Sequence, residues 1–226
     1  RDSKTKDNRS FRETKKMFRE LACYSQDSTY AEILEAVFTS SEKDMRCLAI
    51  PSGFMGRLSE FTNSQEFSVA IDFPYGLNGT QIRIHEIILA IRQGASYIDL
   101  VINNSFIKEE NWRKIRQDLK SCLSICNEYD IELRVIIEYR LFSVKTVLLM
   151  CDLFYQAGIT HIINATGFIA DDISDNAIIS YQMHEKTGVL VTSCVRAFNK
   201  SHVAMFEDMD VHALRFMSSK VVGDIL

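Results

Sequence analysis

The sequence predicts an α/β protein closed as a single (β/α)8, or TIM, barrel, and three observations carry that prediction. Seven short runs rich in β-branched residues alternate with amphipathic stretches. The strand-plus-helix unit recurs about every 25–35 residues, as such a barrel requires. No glycine-rich dinucleotide or nucleotide-phosphate loop follows an early strand, so a doubly wound sheet is the weaker alternative.

Residues 1–19 are rich in Lys and Arg with few apolar side chains, and they read as a basic leader or first helix. A single barrel domain follows over 20–226. An eighth strand near 21–25 is faint, but the ring needs it to close. Clear strands are expected at 45–50, 67–73, 97–102, 133–138, 160–165, 189–192 and 212–216. Each ends in a polar or turn-forming segment such as Pro51-Ser52-Gly53, Pro74-Tyr75-Gly76 or Thr166-Gly167. The runs look apolar on both faces, as parallel strands covered by helices do. Between them, residues 81–92 place Ile84, Ile87, Ile88 and Ile91 on one helical face. Residues 112–128 repeat the pattern with Ile115, Leu119, Leu123 and Cys126. Gly94 and Gly158 stand where helices should stop.

Of the 226 residues, 46% are hydrophobic and 25% charged, enough apolar material for a large core. A net charge of -4 argues against a nucleic-acid partner. No apolar run reaches membrane-spanning length. The six cysteines form no CxxC pair, and only Cys122 and Cys126 are close, at helical spacing. That usage predicts reduced, mostly buried thiols and a cytoplasmic protein. The five histidines are scattered singly, so neither a metal nor another cofactor is expected.

In such a barrel, chemistry sits at the C-terminal ends of the strands. That rule selects Asp72, Asp99, Asn103, Glu138, Tyr139, Arg140, Asn164, Thr166, Thr192, Ser193, Ser219 and Lys220. Asp99 lies inside an apolar strand, where an unpaired carboxylate would cost several kcal/mol. It must face water, a cation or the barrel mouth. Arg134 and Glu138 are four residues apart, on one face of the next strand. Two readings stay open for this trio: acid–base chemistry, or an internal ion-pair network without catalysis.

From Pro51 to Leu226 the motifs resemble those of deoxyribose-phosphate aldolase in order and spacing. Asp72-Phe73-Pro74-Tyr75-Gly76 is similar to the family's Asn-Phe-Pro-His-Gly turn. The run from Gly94 to Asn103 resembles Gly-Ala-Asp-Glu-Ile-Asp-Met-Val-Ile-Asn. Arg134-Val135-Ile136-Ile137-Glu138 resembles Lys-Val-Ile-Ile-Glu. Ala157-Gly158, with Thr166-Gly167-Phe168 after it, resembles Ala-Gly-Ala-Asp-Phe-Val-Lys-Thr-Ser-Thr-Gly-Phe. Leu214-Arg215-Phe216-Met217-Ser218-Ser219 is similar to Tyr-Arg-Phe-Gly-Ala-Ser-Ser.

The resemblance implies a class I aldolase ancestry, in which a lysine forms a Schiff base and a second lysine lowers its pKa. The nucleophilic lysine falls at Ile163 and the second at Leu190, and neither side chain can form an imine. Asp99, matching the family's proton-relay aspartate, persists as a remnant. Of the phosphate cradle, Thr166, Gly167, Ser193 and Ser219 remain, with Lys220 beside them. The family's Gly-Gly turn has become Ser193-Cys194, and a later glycine has become Met217. Lys145, Lys186 and Lys200 read as surface side chains.

The expectation is a barrel that keeps the fold without Schiff-base chemistry. It would be a pseudoenzyme acting as a binding or assembly protein. Its partner would be a small phosphorylated ligand or a protein, and a homodimer is allowed, although no exposed apolar stripe marks an interface. The rival is an enzyme of altered chemistry on a carbonyl or sugar-phosphate substrate, using Asp99, Glu138, Arg134 and Thr192. A mouth closed by Tyr139, Arg140, Met217 or Phe168 favours the first. A perturbed carboxylate in a pocket favours the second.

Overall fold

The computed structural model describes residues 17–196, 199–218 and 222. Ser219, Lys220 and residues 1–16 of the basic leader lie outside the described residues. Eight parallel strands pair in chain order and close into a barrel. They are β1 (Phe18–Ala22), β2 (Cys47–Pro51), β3 (Phe67–Ile71), β4 (Tyr97–Val101), β5 (Glu132–Ile136), β6 (His161–Ile163), β7 (Leu190–Val195) and β8 (Ala213–Phe216). The faint strand exists but starts three residues before its expected place. Phe18 and Arg19 therefore belong to β1, which closes the ring by pairing Glu20 with Arg215 of β8.

The helices are α1 (Tyr30–Glu42), α2 (Ser52–Leu58), α3 (Thr80–Arg92), α4 (Asn104–Lys108), α5 (Trp112–Glu128), α6 (Val144–Gln156), α7 (Ile173–Thr187) and α8 (Lys200–Asp208). Polar side chains start several of them. Thr29 and Glu32 form a capping box on α1, and Asn111, Ser143 and Asp172 cap α5, α6 and α7. Satisfying the first free amides there fixes where each strand-to-helix loop ends.

Alternation along the strands sorts the two faces of the sheet. Leu48, Ile50, Val69, Ile98, Val135, Ile162, Val191 and Leu214 are fully or almost fully buried in the core that includes the helices. The opposite face is largely polar, which corrects the expectation of strands apolar on both sides. Glu20, Ser68, Asp99, Arg134, His161, Thr192 and Arg215 are completely buried there. The interior is wide enough for arginines to bond acids across it.

One further buried arginine sets the mouth loops. Arg83 of α3 is 1% exposed. It donates from Nε to Asp72 Oδ2 (2.9 Å), from Nη1 to Asp118, and from Nη2 to the carbonyls of Gly76 (2.8 Å) and Val101 (2.7 Å). Gly76 itself has a positive φ of 66°, and a Cβ there would collide with the Ile102 carbonyl. Asp72, a sequence candidate for chemistry, is thus turned toward Arg83.

Among the described residues, no helix is long and apolar enough to cross a membrane. All six cysteines are free thiols, and five are buried. Burial pushes Cys122, Cys126, Cys151 and Cys194 up to about 12, so they stay protonated and unreactive.

Candidate functional site

The centre of the barrel is a closed ring of four charges. Arg134 donates to Glu20 Oε1 (2.7 Å) and to Asp99 Oδ1 (2.7 Å). Arg215 completes it through Glu20 Oε2 (2.6 Å) and Asp99 Oδ2 (2.8 Å). Ser68 donates to Asp99 and accepts from Arg134 Nη2 (2.7 Å), and Tyr24 lies 3.1 Å from Arg215 Nη1. Burial alone would raise both carboxyls. The two guanidiniums outweigh it and hold Glu20 and Asp99 below the ordinary carboxylate range. Two acids and two bases leave the ring neutral. Asp99 and Arg134 do meet, as their strand positions suggested. Glu20 and Arg215, which the sequence reading passed over, supply the other half.

Glu138 does not join the ring. β5 ends at Ile136, and Glu138 lies two residues beyond it, just before a short 3-10 turn at Tyr139–Leu141. Glu138 instead accepts from the backbone N–H (3.1 Å) and the hydroxyl (2.6 Å) of Thr166 through one oxygen, Oε2. Its Oε1 is buried with no hydrogen-bond partner. Burial pushes the Glu138 carboxyl up, the Thr166 bonds oppose this, and nearby Asp171 adds to it.

The remaining candidates divide between the mouth and the helices. Thr192 bonds His161 Nε2 (2.8 Å), whose Nδ1 lies 3.1 Å from Glu132 Oε1. Burial keeps His161 toward its neutral form, and Glu132 is held toward its ionised form. The ring therefore donates from Nδ1 to Glu132 and accepts at Nε2 from the Thr192 hydroxyl. Ser193, one residue on, points its hydroxyl outward and donates to Ser180 of α7 (2.8 Å). The Cys194 amide donates to Asn164 Oδ1 (2.9 Å). The Thr166 and Cys194 amides are thus occupied by the chain's own oxygens.

Ile163 is fully buried, two residues beyond His161 on the same face of β6. Leu190 opens β7, two residues before Thr192. Every described lysine lies elsewhere. Lys43 is half-buried in the β1–β2 end opposite the mouth, and Lys108, Lys114, Lys120, Lys145, Lys186 and Lys200 are exposed.

Aromatic side chains cover the ring at the C-terminal ends of the strands. Tyr24, Phe73 and Phe168 stack in series, with centroids 4.3 and 5.3 Å apart. They pack with Met217 over small Ala22, Ala49 and Ala70. Met217 also sits against Gly167, whose φ is 78° and where a Cβ would lie 2.7 Å from the methionine Cε. Phe168 and Met217 therefore close the mouth. Tyr139 and Arg140 do not, because Asp171 holds both to one side, the Tyr139 hydroxyl at 2.5 Å. Outside this cover remains an open cavity of about 730 Å³, lined by Tyr24, Asp27, Phe168, Arg196, Met217 and Ser218 among others. Arg196 stacks over Phe168 at 5.4 Å. Among the described residues no group of three or more His, Cys, Asp or Glu side chains could hold a metal ion.

The closed parallel strands and the helices between them define the class: a (β/α)8 barrel with a buried Asp99–Arg134 pair and a Thr-Gly-Phe loop at its mouth. Comparison with known proteins shows which barrels it is like. The chain is 31% identical over 128 residues to the deoxyribose-phosphate aldolase of Mannheimia succiniciproducens, covering 56% of each chain. It is 25% identical over 174 residues to that of Histophilus somni, covering 75% of this chain and 77% of the relative. The first of these matches thus spans little more than half of the relative's length. No family model matches the chain. Its fold superposes on QR15, an aldolase, with a TM-score of 0.79 at 19% identity, covering 92% of each chain. The tetrameric deoxyribose phosphate aldolase of Aeropyrum pernix gives 0.79 at 17% identity, covering 91% and 87%. The chain is thus similar in sequence to deoxyribose-phosphate aldolases and shares their barrel fold.

Proposed function

We propose that this barrel has lost the imine chemistry of its family and works as a binding or assembly protein. One observation carries the reading: no described lysine lies in the barrel interior or at its mouth, and Ile163 and Leu190 stand at the two positions matched to lysines. A Schiff base needs a neutral amine within reach of the carbonyl, and arginine cannot supply one. The closed charge ring and the aromatic cover support the same reading. Asp99 is engaged by two arginines and a serine, so it is a structural remnant of the relay. The amides of Thr166 and Cys194 bond Glu138 and Asn164, which weakens any inherited phosphate grip. A small phosphorylated ligand would meet Arg196 in the outer cavity. Unreactive buried thiols fit a cytoplasmic protein.

The test is incubation of the full chain with acetaldehyde or deoxyribose 5-phosphate plus borohydride, followed by intact mass and peptide mapping. No adduct is expected. Reduced adduct on any lysine, Lys220 included, overturns the proposal.

A second reading rests on Glu138. Its buried, unbonded Oε1 and upward-shifted carboxyl are what an altered acid–base chemistry on a carbonyl substrate would use. Glu138→Gln separates the two. A carboxyl whose folded pKa is raised stabilises fully below its unfolded value, about 4.3. That contribution is lost as pH rises through the folded value. The variant should therefore gain in Tm relative to the parent as pH rises above about 4.3, with no α-proton exchange of acetaldehyde to lose. If the parent catalyses that exchange and the variant does not, the second reading replaces the first.

A further inference from the structure

Met217 stands where the cover over the charge ring meets the open cavity at the mouth. Its side chain packs with Tyr24, Phe73 and Phe168 over Ala22, Ala49 and Ala70. It is also partly exposed and lines the cavity of about 730 Å³ beside Arg196 and Ser218. The other seven methionines are placed differently. Met17, Met45, Met55, Met150 and Met183 are buried, and Met205 and Met209 pack against the core from α8 and its C-terminal cap. A small reagent in the mouth cavity therefore meets one thioether.

The sulfur's neighbour on its buried side is a thiol. Cys194 Sγ lies 3.3 Å from Met217 Sδ and donates its hydrogen to it. A cysteine is oxidised through its thiolate, and only where oxidant can reach it. Cys194 offers neither, being 1% exposed and held in the protonated form by burial. A thioether has no proton to lose, so its lone pairs are available at any pH. Of the two on Met217 Sδ, the Cys194 hydrogen occupies one and leaves the other.

We propose that Met217 is a peroxide-modification site and that its oxidation opens the mouth. The free lone pair of Sδ attacks one oxygen of the peroxide, and the O–O bond breaks. An S–O bond forms, the sulfur is oxidised by two electrons, and the second oxygen leaves as water with both peroxide hydrogens. That departing oxygen gains negative charge as the bond breaks. Arg196, whose guanidinium lies over Phe168 at 5.4 Å, places a cation on the same cavity wall. The sulfoxide is polar where the thioether was apolar. It has no room beside Gly167, where a Cβ would lie 2.9 Å from Sδ. The added oxygen therefore parts Met217 from the cover, and Phe168 loses the side chain it packs with over the ring.

Treatment of the full chain with hydrogen peroxide near pH 7, followed by peptide mapping, tests the site. Met217 should gain one oxygen at least about five-fold faster than Met205 or Met209, with Cys194 unmodified. In the digest, one of the two epimer-specific sulfoxide reductases should remove that oxygen and the other should not. Hydrogen exchange at the Phe168 amide, which donates to Thr166 Oγ1 (3.2 Å), should accelerate about ten-fold or more in the oxidised protein. Met217→Leu keeps an apolar side chain of similar volume and should show neither effect. Met217→Gln, polar from the start, should exchange fast at Phe168 without peroxide. Uptake at Met205 or Met209 as fast as at Met217, oxidation of Cys194 first, or an equal mixture of epimers overturns the inference. So does an oxidised Met217 beside a Phe168 amide as protected as before. The borohydride experiment reads lysines, so it stands or falls separately.

Discussion

Arg134→Met should lower the stability of this barrel by about 3–5 kcal/mol, the usual cost of removing one partner from a buried ion pair. For a chain of this size that is a fall in Tm of roughly 6–20 °C. The reason lies in the ring. Glu20 and Asp99 are fully buried, and each is bonded by both arginines. Methionine fills the space of the arginine stem but leaves two carboxylates sharing the single charge of Arg215. The loss should shrink at low pH, because the stranded carboxyl can then take up a proton. In the parent, both carboxyls sit below their ordinary range, so their contribution is present above about pH 4 and fades as pH falls through the folded values. Pairing Arg134→Met with Glu20→Gln restores one acid to one base and should recover part of the loss. Chemical denaturation of the three variants at pH 7 and pH 5 measures this. A cost below about 1 kcal/mol, the range of an exposed pair, would mean the ring does not hold the barrel centre.

Arg83→Met should cost a comparable amount, about 3–5 kcal/mol, with a local signature as well. Arg83 binds Asp72, Asp118 and the carbonyls of Gly76 and Val101. It thereby ties α3 to the loop that carries Phe73 into the aromatic cover. Without it, two acids and two carbonyls lose their donor, and the 72–78 loop is freed. Hydrogen exchange at the Gly76 amide, which donates to the Asp72 carbonyl (2.8 Å), should accelerate before global unfolding does. Arg83→Lys should rescue less than half of the stability, because one ammonium cannot reproduce four bonds in a planar fork. Equal rescue by lysine would show that charge, not geometry, is what Arg83 supplies.

Both variants bear on the proposed loss of chemistry. The inner residues that remain are bonded to one another, and the mouth above them is filled by Tyr24, Phe73, Phe168 and Met217. An active aldolase must admit a substrate to this space. Here the chain's own side chains occupy it.

Much of this was legible in order of sequence. Alternating runs and helical repeats gave seven strands and the barrel. An aspartate inside an apolar run had to face water, a cation or the barrel mouth, and the cation it meets is Arg134 of the neighbouring strand. Glu20 and Arg215 were not legible, because they are 195 positions apart and meet only when β1 and β8 close the ring. In Phe18-Arg19-Glu20-Leu21-Ala22 the charges also hid the strand itself. Strand parity could have placed Ser193 on the helix side, since it neighbours inward-facing Thr192. Glu138, beyond the end of β5, bonds the Thr166 amide of the neighbouring loop, a partner that strand pattern does not name.

By itself, then, the sequence determined the barrel, its family likeness and the absence of lysine at Ile163 and Leu190, because these depend on local pattern and residue identity. Only the tertiary structure decided what fills the space: a neutral ring of four charges, a carboxyl on the Thr166 amide and an aromatic cover. Those depend on which strands become neighbours and where each one ends, and both are set by closure of the ring.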